Sequence, residues 1–383
     1  MSALLRTWVV ASILLAACSS ATASPPAATP APASPALPTI APTASPISLP
    51  TALPSPTATP APHGQPITAD LLDRLSPSID LVQRGPSVLT VGFAPDGLLV
   101  GAGSSDGAIR LWDSQSGRLA QTLLGHTAGV QSIAFAPTGN TLASGSDDAS
   151  VRVWSINDGK PLETVNSKLL ARVLRVTYSP DGQLLAAGGQ MCAVVLLHSR
   201  NGILRRTLPQ PKCGSESLGW IESWGIAFTP DSQQVITGSG RMLAGGSLWR
   251  WTIEGFDRPT ILAGYGLPVR DLALTPDGKT LAVTALGGEL IWLRDAKTGA
   301  LLHEMAGHIF RVNDLAFSPD GQLLASASRD GTIRFWRVAD GSSAGVLQLG
   351  RVDPLSLAFS PDGRQLAIGT RQGGLALWSV EEP

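Results

Sequence analysis

The chain has 383 residues, of which 28 are basic and 29 are acidic, so its formal net charge at neutral pH is −1. This length fits about two or three ordinary domains, or one large all-β domain. Nucleic-acid phosphates attract a basic surface, and the sequence has neither net positive charge nor a basic or acidic run, so we expect no nucleic-acid partner.

Residues 1–17 are predicted to be an export signal. Arg6 precedes an apolar run from Trp8 to Ala17, which is too short to span a bilayer and is typical of a secretory signal. The segment Leu15-Ala16-Ala17-Cys18 resembles the bacterial lipoprotein box, and the resemblance implies cleavage before Cys18 and acylation of its thiol. The alternative is an ordinary cleaved signal followed by an unrelated cysteine.

Residues 18–64 are predicted to be a disordered tether. Ser19–Gly64 holds 13 of the 30 prolines, and the remainder is almost entirely Ala, Ser and Thr. Such a composition buries too little apolar surface to offset the entropy of ordering. Together with an acyl anchor, the tether would hold a domain away from a membrane. We therefore expect an exported, extracytoplasmic, membrane-anchored lipoprotein.

Residues 65–78 are predicted to be a leader with a short helix at Ala69–Leu75. Residues 79–383 are predicted to be one folded domain, large enough for a sizeable core. Its first segment, Ile79–Gln83, has the pattern of a β-strand but no neighbouring strand of its own.

A five-residue pattern then recurs seven times: an apolar residue, a small residue, Pro, and usually Asp-Gly. The copies begin at Phe93, Phe135, Tyr178, Phe228, Leu274, Phe317 and Phe359. They are spaced 42 to 50 residues apart, a period typical of propeller blades. Pro presets φ in such a turn, and Gly supplies the left-handed conformation.

Each copy predicts four short strands, as in Val130–Ala136, Leu142–Ser146, a third strand ending at Trp154, and Leu162–Val165. In the seventh copy only Ser379–Pro383 follow the third strand, which is too few for a fourth. The N-terminal strand would complete that blade and remove an exposed sheet edge. The prediction is an all-β, seven-bladed propeller closed by its N-terminal strand.

Glycine-histidine and tryptophan motifs mark several copies, and over Ile79 to Val380 the chain resembles WD40-repeat proteins. The motifs are Gly125-His126, Gly307-His308, Trp112-Asp113, Trp154, Trp336 and Trp378. The resemblance implies a buried hydrogen-bonded set in blade two and another in blade six. These sets are His126, Ser144, Asp148 and Trp154, and His308, Ser326, Asp330 and Trp336. Blade one lacks the histidine, and blade three has Leu197 or His198 near the tryptophan position.

Ser, His and Asp, which occur in both sets, are also the three residue types of hydrolase catalytic triads. Because the set recurs as a blade scaffold, we predict no catalytic residue. The loop at Gly101-Ala102-Gly103 is not followed by a helix, and no hydrolase or zinc-ligand spacing occurs. We therefore predict neither a cofactor nor a metal site.

Once Cys18 is set aside, Cys192 and Cys213 form an even pair in an oxidising compartment. Both fall in loops expected at one end of the propeller, so a disulfide is predicted. It would close a loop of about 21 residues and contribute about 3 kcal/mol in the chain-entropy account. The alternative is two buried thiols.

The candidate binding residues are expected near the mouth of the central channel. The residue four positions before each turn pattern should lie where an inner strand begins. These residues are Leu89, Gln131, Leu174, Trp224, Arg270, Asn313 and Leu355. Trp220 lies in the irregular loop before blade four, and exposed aromatic side chains often anchor partners. We predict that Trp224, Arg270, Gln131, Asn313, Leu174 and Trp220 contact a protein or peptide.

The WD40 resemblance implies a non-enzymatic protein–protein interaction scaffold whose partner is another extracytoplasmic protein or peptide. Two alternatives remain: an exported propeller enzyme resembling lactonases, peptidases or quinoproteins, or an envelope assembly factor similar to TolB. The enzymes require convergent carboxylates or histidines at the channel, where this sequence places mainly Leu, Gln, Asn and Arg. Since one fold hosts many functions, the site must decide between them.

Overall fold

The computed structural model describes residues 65–82, 84–166, 171–190, 193–209, 222–241, 245–255 and 258–381, and only the backbone of residues 222–224 and 241. The predicted export signal and the tether with Cys18 lie outside the described residues. So do Cys192, Cys213, Trp220 and the side chain of Trp224. In the described part of the chain, no helix is both long enough and apolar enough to cross a membrane.

The described residues form 28 strands arranged in seven four-stranded antiparallel sheets. The first half comprises β1 (Leu75–Val82), β2 (Val88–Phe93), β3 (Leu99–Ser104), β4 (Ile109–Asp113), β5 (Leu119–Leu123), β6 (Val130–Phe135), β7 (Thr141–Ser146), β8 (Ser150–Ser155), β9 (Pro161–Asn166), β10 (Val173–Tyr178), β11 (Leu184–Gly189), β12 (Ala193–His198), β13 (Leu204–Pro209) and β14 (Glu222–Phe228). The second half comprises β15 (Gln234–Arg241), β16 (Gly245–Thr252), β17 (Thr260–Tyr265), β18 (Val269–Leu274), β19 (Thr280–Ala285), β20 (Ile291–Asp295), β21 (Leu301–Met305), β22 (Val312–Phe317), β23 (Leu323–Ser328), β24 (Thr332–Arg337), β25 (Ser343–Gln348), β26 (Pro354–Phe359), β27 (Gln365–Thr370) and β28 (Leu375–Val380).

Blades one to six are the successive groups of four strands from β2 to β25, and blade seven is β26, β27, β28 and β1. Strand β1 pairs antiparallel with β28, with Leu75 opposite Val380. The prediction of a seven-bladed all-β propeller closed by the N-terminal strand is thus confirmed. Joining the two ends of the chain in one sheet removes an unpaired edge.

The leader differs from its prediction. No α-helix forms at Ala69–Leu75; a single 3₁₀ turn covers Leu72–Arg74, and β1 begins at Leu75 instead of Ile79. The helix is shorter than predicted and of the 3₁₀ type, because from Leu75 onward the backbone pairs with β28. Ile67 is buried between blades six and seven, so the leader is part of the propeller core.

The apolar core is divided into seven clusters, one between each pair of neighbouring blades. Second strands such as β11, β23 and β27 are buried along their whole length. Outer strands such as β9 and β25 alternate between exposed and half-buried residues. This pattern follows from stacking the sheets side by side, and it leaves the loops at the two ends of the ring to make contacts with other molecules.

The turn pattern that marks each blade depends on a left-handed residue. Gly139 has φ +76° in blade two, whereas blade four places Ser232 at the same position with φ +57°. The Ser232 hydroxyl accepts a hydrogen bond from the backbone N–H of Asp181 at 3.1 Å. A polar link to blade three therefore accompanies the strained backbone.

Candidate functional site

One end of the ring carries the loops that join the outer strand of one blade to the inner strand of the next, and the loops between second and third strands. We call this end the top face. In blade two it brings His126, which precedes β6, next to Asp148, which precedes β8. In blade six, His308 and Asp330 meet in the same way.

The side chains of blade two form a continuous hydrogen-bonded chain. The Trp154 indole N–H donates to Ser144 Oγ at 2.8 Å, and Ser144 Oγ lies 2.7 Å from His126 Nε2. His126 Nδ1 lies 2.8 Å from Asp148 Oδ2. A neutral imidazole with its proton on Nδ1 satisfies the whole chain, because Nε2 then accepts from the Ser144 hydroxyl and Nδ1 donates to the carboxylate.

The surroundings of this chain fix its charge state. Burial lowers the pKa of His126, and the hydrogen bond to Asp148 opposes that effect only partly. Burial alone would raise the pKa of Asp148, but hydrogen bonds from Ser150, His126 and the Thr127 N–H outweigh it and lower that pKa to about 2. The histidine is therefore neutral and the aspartate charged at neutral pH.

Blade six repeats this geometry with its own residues. The Trp336 indole N–H donates to Ser326 Oγ at 2.8 Å, which lies 2.8 Å from His308 Nε2. His308 Nδ1 lies 2.8 Å from Asp330 Oδ2. Thr332 takes the place of Ser150 and donates its hydroxyl to Asp330 at 2.6 Å. All eight side chains that the sequence assigned to these sets are thus brought together in two separate groups of four.

The other blades replace parts of the set. In blade four, the Trp251 indole N–H donates to Thr237 Oγ1 at 3.0 Å. In blade three, Leu197 lies opposite Leu185, as Trp154 lies opposite Leu142 in blade two. Leu197, and not His198, therefore occupies the tryptophan position. The sets of blades two and six are therefore the complete ones in the described chain.

Blade five has an arginine at the tryptophan position, a feature that the sequence reading missed. Arg294 lies opposite Leu281 in the strand register, donates from Nε to the Tyr265 hydroxyl at 2.8 Å, and lies 5.2 Å from the centre of that ring. Trp292 packs against Tyr265, with the ring centres 5.0 Å apart, and its indole N–H donates to Glu304 at 2.9 Å. Trp292 thus packs against blade five, as do Trp249 and Trp251 against the core between blades three and four.

Neither histidine set has the geometry of a hydrolase site. The side chains of His126 and His308 are 0% exposed, and Ser144 and Ser326 are also 0% exposed. Each serine already accepts the proton of a tryptophan indole and lies beneath the histidine. A substrate carbonyl has no approach to either hydroxyl, so the sets stabilise the fold of their blades.

The mouth of the channel is where the candidate binding residues converge. A cavity of about 50 Å³ lies there, and six of the seven predicted mouth positions line it. They are Leu89, Gln131, Leu174, Arg270, Asn313 and Leu355. The seventh, Trp224, belongs to inner strand β14, and its side chain lies outside the described residues.

The mouth residues differ in what they offer to a partner. Leu174 and Asn313 are only 3% and 4% exposed, and the Asn313 amide donates to Asp353 and to the Pro354 carbonyl. Gln131 and Arg270 are half-buried, and the Gln131 amide donates to Asp147 at 2.9 Å. Direct contact with a partner is therefore available to Gln131 and Arg270, whereas Leu174 and Asn313 line the wall.

A charged cluster that the sequence reading missed lies one residue deeper in the channel. Arg175 Nη1 of blade three lies 3.5 Å from Asp271 Oδ1 of blade five and 3.9 Å from Asp314 Oδ1 of blade six. Burial raises the pKa of Asp271 to about 7, although the Arg175 charge opposes that rise and the neighbouring Asp314 adds to it. The two carboxyl groups and the guanidinium line the same cavity as the mouth residues.

These deeper positions also connect neighbouring blades. At five of them, a side-chain oxygen accepts from a backbone N–H of the next blade at 2.8–3.3 Å. The acceptors are Thr90, Ser132, Asp271, Asp314 and Ser356. The signal that could have found them is the register itself, since each follows a predicted mouth residue by one position.

Among the described residues, no group of three or more histidine, cysteine, aspartate or glutamate side chains is arranged to hold a metal ion. Arg175 Nη1 lies within 3.9 Å of an oxygen of both Asp271 and Asp314, and its positive charge would repel a cation there. The structure thus brings together a polar mouth and two buried sets.

Comparison with known families agrees with this geometry. The WD40 family (WD domain, G-beta repeat) matches residues 80–113, 117–155 and 299–337. The matched segments cover the first three strands of blades one, two and six. Blades two and six contain the complete histidine sets. No curated protein matches the chain. The chain is thus a seven-bladed β-propeller with WD40 repeats in these three segments.

Proposed function

We propose that this propeller is a non-enzymatic protein–protein interaction scaffold, and that it binds an extracytoplasmic protein or peptide at its top face. The observation that carries the proposal is the convergence of side chains from six blades on one channel mouth. The WD40 repeats support a binding role. A rigid ring with seven packed interfaces also suits it, because little ordering is needed when a partner docks.

The burial of both histidine sets supports a non-enzymatic role. Catalysis of the kind found in exported propeller enzymes requires reactive side chains that reach a substrate. Here the imidazoles and their serines are enclosed within blades two and six. In the channel, Asp271 and Asp314 interact with Arg175 and with backbone N–H groups.

We further propose that the scaffold is exported and held at a membrane through acylated Cys18. The support is the sequence of residues 1–64: an apolar run after Arg6, the lipoprotein-like box, and an uncharged Pro-rich segment. Two or three acyl chains would anchor the protein stably. The Pro-rich segment would give the propeller reach toward a partner and raise the local concentration of the two.

Partner capture tests the binding role. The tagged full chain is cross-linked in its own cells, recovered from membranes, and compared with a Gln131→Ala, Arg270→Ala double variant. A matched control removes the same two residue types from the opposite face: Gln322→Ala with Arg364→Ala. Trp224→Ala is a third variant, because the sequence places it at the mouth.

We expect the partner to be recovered with wild type and with the opposite-face control, and to be reduced with the mouth variants. Equal recovery with all variants would place the binding site elsewhere. No enriched partner in any sample would contradict the scaffold proposal. Cys18→Ala provides the test of anchoring: it should abolish labelling by a fatty-acid precursor and release the protein from membranes.

A further inference from the structure

The loop that precedes β22 in blade six exposes two large apolar side chains. Ile309 is 72% exposed and Phe310 is 57% exposed. The loop is nevertheless held firmly: the Ile309 N–H donates to Asp330 at 3.1 Å, and the Phe310 carbonyl accepts from the Ser328 hydroxyl at 2.9 Å. These apolar groups are therefore presented on a fixed backbone, with little entropy to lose on binding.

Three arginines adjoin these side chains. Arg311 continues the loop, and its backbone carbonyl accepts from the Arg329 N–H at 3.1 Å. Burial is the largest cause that lowers the pKa of Arg311. The charges of the nearby Arg371 and Arg329 lower it further. We call Ile309, Phe310, Arg311, Arg329 and Arg371 the blade-six patch.

The positive charge of this patch is only partly neutralised. Arg371 Nε donates to Asp353 at 2.7 Å, whereas Arg311 and Arg329 form no ion pair with any side chain in the described residues. Arg311 Nε is buried without a hydrogen-bond partner. A bound carboxylate would pair with the remaining positive charge of Arg311 and Arg329.

Blade two shows that the framework does not require these residues. Its loop has the same hydrogen bonds, from the Thr127 N–H to Asp148 and from the Ser146 hydroxyl to the Ala128 carbonyl. Yet it has Thr127, Ala128 and Gly129 where blade six has Ile309, Phe310 and Arg311. Asp147, paired with Arg172, stands where blade six has Arg329. The apolar and basic character thus distinguishes the blade-six loop from the blade-two loop.

We propose that the blade-six patch binds an acidic segment of a partner protein that carries a large apolar side chain. The inference rests on the proposed scaffold function and specifies its partner. Carboxylates of the segment would pair with Arg311 and Arg329, and the apolar side chain would cover Phe310. Complementary charge at a partly desolvated site mainly sets specificity and the association rate.

The distribution of charge on the top face favours a narrow segment over a flat anionic membrane. Asp106 and Asp147 are partly exposed on blades one and two, and Glu289 is exposed on the blade-five loop beside the patch. A planar anionic surface laid on this face would be repelled by Glu289 and would gain little from blades one and two, where Asp106 and Asp147 already pair with Arg110 and Arg172. A peptide confined to blades six and seven avoids the acids of blades one and two.

The test uses a variant that converts the blade-six loop into the blade-two loop: Ile309→Thr, Phe310→Ala, Arg311→Gly and Arg329→Asp. The control variant removes exposed side chains of the same types elsewhere on the top face: Leu124→Ala, Leu267→Ala and Arg84→Asp. The probes are immobilised short peptides that alternate glutamate with leucine, glutamate with serine, or lysine with leucine. Vesicles of anionic and of neutral phospholipid are the other probes.

We expect wild type and the control variant to bind the glutamate–leucine peptide, and the converted variant to bind it about tenfold or more weakly. Binding should weaken with salt, because the ion pairs are near the surface. No binding, unchanged binding by the converted variant, or equal binding of the lysine–leucine peptide would overturn the proposal. Binding of anionic vesicles that depends on the patch, without peptide binding, would overturn it as well.

Two results separate this proposal from the scaffold function itself. If cellular partner capture is lost with Gln131→Ala and Arg270→Ala but survives conversion of the blade-six loop, the scaffold function stands and the patch proposal fails. If no partner is captured by any form of the protein, the scaffold proposal fails, and the peptide assay alone decides the patch proposal. Thermal unfolding of the converted variant shows whether it remains folded.

Discussion

Blades two and six place the same four kinds of side chain in the same geometry, yet their loops on the top face have opposite characters. The distances between histidine, aspartate, serine and tryptophan agree within 0.1 Å in the two blades. Above that framework, blade two presents Thr127 and Asp147, whereas blade six presents Phe310 and Arg329.

The difference separates residues that hold a blade together from residues that face a partner. The framework is buried and fully hydrogen-bonded, so a change in any of its members leaves a polar group unsatisfied. Loop side chains contribute nothing to that network, since only the backbone groups of Thr127, Ala128, Ile309 and Phe310 take part. They are therefore free to differ between blades and to carry recognition.

The largest expected effects come from the framework tryptophans. Trp154→Ala and Trp336→Ala each remove a buried indole that packs against the preceding blade. Each should lower the free energy of unfolding by about 3–5 kcal/mol, as measured by urea denaturation. Trp292→Ala, at a half-buried position of blade five, is the control and should lose less. Losses of about 1 kcal/mol or less at Trp154 or Trp336 would argue against a shared framework.

The two blades should respond oppositely at one backbone position. Gly331 of blade six has φ +82°, and an added Cβ would lie 2.3 Å from the Gly350 carbonyl oxygen. Gly331→Ala should therefore destabilise the protein by about 2–4 kcal/mol. Blade two has Ala149 there, at φ +66°, so Ala149→Gly should be neutral or gain up to about 1 kcal/mol. Similar unfolding midpoints for Gly331→Ala and wild type would contradict the close approach.

The framework aspartates give a prediction about pH. Hydrogen bonds lower the pKa of Asp148 from its ordinary value of 3.8 to about 2 in the folded protein. Its carboxylate therefore stabilises the fold above pH 3.8, and that contribution is lost as the pH falls toward 2. Asp148→Asn should lower the free energy of unfolding by about 1–3 kcal/mol at neutral pH. It should also weaken the fall of that free energy with decreasing pH on the acid side, which we call the acid limb. Asp330→Asn should behave alike, since the pKa of Asp330 is also lowered despite burial. An unchanged acid limb in both variants would contradict this account.

The channel aspartate should show the opposite sign. Because burial raises the pKa of Asp271 to about 7, the folded state binds a proton more tightly than the unfolded state. The resulting stability is present below pH 3.8 and is lost as the pH rises toward 7. Asp271→Asn should remove that decline and leave the protein about 1–2 kcal/mol more stable than wild type at pH 8. Denaturant unfolding across pH measures this, and a variant with the wild-type slope would refute it.

The sequence was most informative where one local pattern repeats. The turn motif predicted seven blades, and the resemblance to WD40 proteins, which rests on the Gly-His and Trp motifs, implied both framework sets. The mouth positions followed from the same register. The roles of Trp220 and Trp224 in binding and the disulfide between Cys192 and Cys213 remain predictions. Trp220, both cysteines and the side chain of Trp224 lie outside the described residues.

Contacts between distant blades could not be predicted from the sequence. Arg175 reaches Asp271 and Asp314 because closing the ring brings blade three to face blades five and six across the channel. No local pattern predicts which charges meet there. The proximity of Arg371 to Arg311 is hidden for the same reason, so the blade-six patch could be recognised only in the folded ring. Similarly, β1 begins at Leu75 because β28 supplies partners from the other end of the chain.

The central claim is that a common buried framework supports loops whose side chains can differ between blades and contribute to recognition. The most direct test measures unfolding and partner capture on the same variant, with Ile309, Phe310, Arg311 and Arg329 replaced by their blade-two counterparts. The account predicts a free energy of unfolding within about 1 kcal/mol of wild type and a marked loss of captured partner. Loss of stability and capture together, or full retention of capture, would contradict it.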